Sequence, residues 1–78
     1  MSYNQQRWLD ERKAEAATVA ELLGPEWTTD GAVVKHSNGS VGLMIRGIAM
    51  RFDNSRRVDI PEGASPEQIA AILRSVAE

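Results

Sequence analysis

Cysteine is absent from the 78 residues, histidine occurs once, and aromatic side chains make up only 5% of the chain. The first absence excludes disulfides, thiolate metal sites and thiol chemistry, and it fits a reducing interior such as the cytoplasm. The lone His36 has no nucleophile and orienting acid beside it in any recognisable spacing, so general acid–base catalysis has little to stand on. Carboxylates such as Asp53, Asp59 and Glu62 are scattered rather than set at metal-ligand intervals. The expectation is a non-enzymatic protein with no cofactor and no metal. No apolar run approaches the roughly 20 residues of a membrane span. The polar start, Met1 to Arg7, lacks the apolar core of a secretory signal.

What is present has the balance of a globular protein, 42% hydrophobic and 26% charged. A chain this short holds one domain, 1–78, and buries a small core. Without disulfide or zinc to staple it, a second copy or a partner protein is the expected source of further stability.

The stretch from about 4–23 has no proline or glycine and is rich in Ala, Glu, Arg, Leu and Gln, which predicts a helix. Ser2 and Gln5 have capping-box spacing, and Gly24-Pro25 is a stop signal. The apolar stripe Leu9, Ala16, Val19, Ala20, Leu23 is interrupted by Arg12 and Lys13, so only the second half is expected to dock firmly. A second helix over about 66–77 opens with Ser65 as N-cap, Pro66 at N1 and Gln68 at N3, and carries the stripe Ile69, Ile72, Leu73, Val76.

Between the helices, alternating apolar residues predict short strands at about 32–36, 41–45, 48–53 and 57–60. Asn38-Gly39 reads as a two-residue type I′ turn pairing Val34 with Leu43, and Arg46-Gly47 as a second two-residue loop pairing Leu43 with Met50. An odd-numbered loop around Asn54-Ser55-Arg56 sets Val58 opposite Phe52. On that register one face collects Ala32, Val34, Val41, Leu43, Ile45, Ile48, Met50, Phe52, Val58 and Ile60 for the core. The fold class that follows is α+β: a two-layer sandwich of an N-terminal helix, an antiparallel meander of three to four short strands and a C-terminal helix, both helices on one sheet face.

The spare face is where function is sought. Residues 31 to 60 hold five basic and two acidic side chains, whereas both flanking segments are net acidic. The predicted outward positions are Val33, Lys35, Gly42, Met44, Ala49, Arg51, Arg57 and Asp59, with Arg46 and Arg56 at strand ends, making a largely cationic outer sheet face with a small apolar centre at Val33 and Met44. Such a face is either left to water, as in many one-sided antiparallel sheets, or binds something. Trp27 is expected to plug the end of the core. Trp8, in the poorly striped half of the first helix, is an additional candidate contact for a partner or second copy.

The helix, strands, helix order is similar in topology to a double-stranded-RNA-binding domain, and a three-stranded sheet in a DNA groove, as in phage integrase arm-binding domains, would use Lys35, Arg46 and Arg51. The first resemblance implies a lysine-rich start to the second helix, where this chain has Ser65-Pro66-Glu67-Gln68. With an acidic pI of about 5.3 and no aromatic outward for base stacking, protein ranks ahead of nucleic acid. The expectation is a small protein-binding module, a regulator or inhibitor of bacterial or phage origin, with nucleic-acid binding through the cationic face as the alternative.

Overall fold

The computed structural model describes residues 3–78. Helix α1 (Tyr3–Leu23) is followed by strands β1 (Trp27–Asp30), β2 (Val33–His36), β3 (Val41–Leu43), β4 (Ile48–Met50) and β5 (Arg57–Asp59), then helix α2 (Pro66–Ala77). The strands form one antiparallel meander in the order β1-β2-β3-β4-β5. Helix α1 lies against β1 and β2, α2 against β3, β4 and β5, and the helices pack on each other. This is the α+β two-layer arrangement, with five strands instead of the three to four expected.

The additional strand is β1. Trp27, Thr28 and Thr29 favour extended backbone, and Gly31, with φ of 61°, takes the first central position of a two-residue hairpin that pairs Asp30 with Val33.

Both helix ends read from the sequence are physically explained. Gly24 has φ of 110°, and its N–H donates to the Ala20 carbonyl, closing α1 in a left-handed C-terminal turn. The Ser2–Gln5 capping box lies outside the described residues. At α2, Ser65 Oγ accepts from the Gln68 N–H at 3.2 Å while Gln68 Oε1 accepts from the Ser65 N–H at 2.9 Å. Two N–H groups that a bare helix start leaves unpaired are thereby satisfied. Ser65→Ala is expected to cost about 1 kcal/mol, read as a lowered melting temperature with an unchanged far-UV spectrum.

Residues Ile69, Ala70, Leu73 and Val76 of α2 and Ala16, Val19 and Ala20 of α1 build the core with Trp27, Ala32, Val34, Met44 and Ala49. The docked half of α1 is the second, as its stripe implies. Arg74 fastens the helices by donating from Nη2 to the Leu22 carbonyl at 2.8 Å, a cation at the negative end of α1.

The strand register differs from expectation, with a large consequence. Val34 lies opposite Gly42 and Lys35 opposite Val41; Val41 then pairs with Met50 and Leu43 with Ile48. Relative to β2 the middle strands are displaced by one residue, which exchanges their faces. The cause is the Asn38 turn. Only Gly39 has positive φ, 98°, and the loop is three residues long, with the His36 N–H donating to the Ser40 carbonyl. Asn38 instead spends its side chain on local anchoring: Oδ1 accepts from the Ser40 N–H and Nδ2 donates to the Ala77 carbonyl at the end of α2.

The next two turns compensate on the far side. Four residues, Met44 to Gly47, separate Leu43 from Ile48, because the Met44 N–H continues the β2–β3 ladder to Ala32 and its side chain turns into the core. Four more, Phe52 to Ser55, link paired Arg51 and Arg56, with Asn54 at φ 61° and Asp53 accepting from the Ser55 N–H and hydroxyl. Those bonds from Ser55, with Arg51 nearby, hold the Asp53 carboxyl below its usual range.

Val34 and Ala32 are therefore core residues as predicted, and Val58 and Ile60 pack against the core. Met44 and Ala49, expected outside, are buried, and Gly42 is buried with them. Val41, Leu43, Ile48 and Met50, expected inside, are half-buried on the opposite face, while Ile45 and Phe52 are exposed.

Candidate functional site: the open face of the sheet

With both helices on the face of Val34, Gly42 and Ala49, the opposite face has no element of the described residues over it. Two cross-strand rows make up this face. One runs Thr28, Lys35, Val41, Met50, Arg57; the other runs Asp30, Val33, Leu43, Ile48, Asp59. Five half-buried apolar side chains thus occupy its centre, bracketed by two cations in one row and two carboxylates in the other. Phe52, half exposed, opens the turn after β4 and lies beside Gly39 of the Asn38 turn.

The face is not cationic, contrary to the sequence reading. Lys35 and Arg57 do stand on it, and Lys35 Nζ lies 3.6 Å from Asp30 Oδ2 across the β1–β2 hairpin. The other predicted residues are dispersed. Met44 is buried in the core. Arg51, just past β4, lies 5.4 Å from the Phe52 ring centroid and 3.6 Å from Asp53. Arg56 borders a shallow hollow with Val58, Ala71, Ile72 and Ser75, on the helix side of the sheet.

Arg46 belongs to a different feature. It lines a groove of about 460 Å³ between the first half of α1, the β3–β4 turn and the β5–α2 connection, together with Trp8, Arg12 and Ile60. Trp8 is 46% exposed, so it is a surface residue of this groove, whereas Trp27 at 8% closes the core. Arg12 is held to Glu15 at 3.2 Å along the helix. The structure therefore brings Trp8, Met44 and Arg46 to one groove, sets Lys35 and Arg57 three strands apart on the open face, and does not unite the seven predicted residues.

What sequence reasoning missed is the apolar core of the outer face, Val41, Leu43, Ile48 and Met50. What sets their orientation is the close approach of α2 to Gly42, a tertiary contact that the alternation along β3 and β4 does not mark.

His36 is engaged structurally. Its ring packs edge-on to Trp27 at 4.7 Å between centroids, its Nδ1 accepts from the Asn38 N–H at 2.9 Å, and its Nε2 lies 3.3 Å from Glu26 Oε2. Among the described residues no three potential metal ligands stand together, and no helix is long and apolar enough to cross a membrane. The chain matches no family model, no curated protein and no solved structure.

Proposed function

We propose that this chain is a non-enzymatic protein-binding module and that the open face of its sheet is the docking surface. The observation that carries this reading is the set Val33, Val41, Leu43, Ile48 and Met50, contiguous across three strands, β2 to β4, with no helix of the described residues over it. Covering such side chains is worth about 25 cal/mol for each Å² of apolar surface removed from water. An apolar centre with a charged rim is the anatomy of a protein interface. A phosphate backbone would instead require cations in excess, and here Lys35 and Arg57 are matched by Asp30 and Asp59.

The reading is tested with the double variant Leu43→Glu/Met50→Glu, which puts two carboxylates into the apolar centre. Wild type and variant, both checked for an intact far-UV spectrum, serve as baits for a tagged copy of the chain and for a host extract. A protein held by wild type and released by the variant is the expected result. Identical retention by the two baits, or none by either, would sink the reading.

A further inference from the structure

We infer that the occupant of the open face is a second copy of this chain, packed face to face about a two-fold axis that lies in the interface and runs across the strands. This rests on the open face being a docking surface, and names its partner. The inference comes from the way charge is sorted on the face. One row carries Lys35 and Arg57; the adjacent row carries Asp30 and Asp59. Arg57 and Asp59 are both exposed, and neither has an ion-pair partner within its own chain among the described residues.

Two sheets packed with their strands nearly aligned can be related by an in-plane two-fold axis in two ways. An axis along the strands reverses strand order and lays β1 over β5 of the second copy. Asp30 then faces Asp59, like against like, twice. An axis across the strands keeps each strand over its own copy and exchanges the two rows. Arg57 now faces Asp59 of the second copy, and by symmetry Asp59 faces Arg57. Thr28 faces Asp30 and Lys35 faces Val33 on β1 and β2, while Val41 faces Leu43 and Met50 faces Ile48, so apolar meets apolar on β3 and β4.

The surface is thus self-complementary in the sense that an isologous contact requires, and only one of the two axes satisfies it. Its size sets the strength. Five strands spaced by ~4.8 Å and three or four residues long give a footprint of roughly 24 by 12 Å. That is well below the ~800 Å² per partner of a standard stable interface, so the pair is expected to form on the order of 100 μM rather than in the nanomolar range.

Charge reversal tests the geometry. Arg57→Asp sets Asp against Asp59 in both symmetry-related pairs at the β5 edge of the interface, and Asp59→Arg sets Arg against Arg57. Each single variant is expected to weaken self-association about tenfold in sedimentation equilibrium, from two exposed pairs turned repulsive. Mixing the two single variants restores pairing as a heterodimer, because one copy now carries two carboxylates and the other two guanidinium groups. The double variant Arg57→Asp/Asp59→Arg restores pairing with itself. Recovery in both arms supports the inference.

Wild type that stays monomeric up to about 1 mM, or single variants that associate as well as wild type, overturns it. If wild type is monomeric yet its bait still retains an extract protein that Leu43→Glu/Met50→Glu releases, the second-copy inference falls and the docking surface stands. If that variant changes nothing either, both fall.

Discussion

Ala49→Glu is expected to unfold the protein, whereas Met50→Glu, one residue further along β4, leaves it folded. Ala49 is fully buried in the row Val34, Gly42, Ala49, Val58 beneath α2. A carboxylate there has no cation within the core to pair with, and leaving it charged or protonating it both cost several kcal/mol. A domain of this length has a total stability of about 4–12 kcal/mol, so one such group consumes most of it. Met50 stands on the open face between Val41 and Arg57, where a glutamate keeps its water. Its loss of partly covered apolar area is worth about 1 kcal/mol or less. Thermal melts of the two variants followed by circular dichroism make the comparison. The opposite ranking would mean that the middle strands have the other face inward.

The second large effect is expected at the closest approach of helix and sheet. A Cβ placed on Gly42 would stand 2.6 Å from Leu73 Cδ2 and 3.1 Å from Cδ1. Leu73 is itself 1% exposed, so its methyl groups can shift only against other core side chains. Gly42→Ala is expected to destabilise by about 1–3 kcal/mol through overpacking, and Leu73→Ala by about 2–5 kcal/mol through the cavity it leaves. The informative variant is the pair. In Gly42→Ala/Leu73→Ala the new methyl group occupies part of the new cavity, so the double variant should be at least about 1 kcal/mol more stable than the sum of the singles. In a domain of this size that is a difference of about 4–8 °C in melting temperature. Strict additivity would mean that Leu73 does not press on Gly42.

These two predictions also mark where the sequence was legible. The helices were, because their ends are written in local chemistry: Ser65, Pro66 and Gln68 at one start, Gly24 at one stop. The inward side of the sheet was not. Both faces of β3 and β4 are apolar, large at Val41, Leu43, Ile48 and Met50, small at Gly42 and Ala49. Alternation alone then gives no polar face to mark the outside. The rule that large apolar residues go inside favours the wrong set, and what overrides it is the close packing of α2, a tertiary fact.

Turn length was the other ambiguity. Asn38 can serve a two-residue or a three-residue hairpin, and the bond from its amide to Ala77, 39 residues away, favours the longer one. Three turn lengths that agree with one another do not fix the register, because a change of one residue in the first turn moves β3 and β4 together. The balance of charge on the open face follows from that shift and from β1: Arg51 leaves the face, and Asp30, on a strand that the alternating pattern does not mark, joins it.

The two outermost strands have a bearing on what assembly is possible. Strand β1 has four residues, follows Pro25 and ends on Asp30; β5 has three, two of them charged, between Arg56 and Pro61. Short, charged, proline-bounded margins make poor templates for adding another strand, so growth by continuing the sheet from molecule to molecule is discouraged. Contact through the open face, as proposed above, would behave differently, because each copy uses that face once in making it. Margins of this kind would favour closure at two over an open-ended fibre.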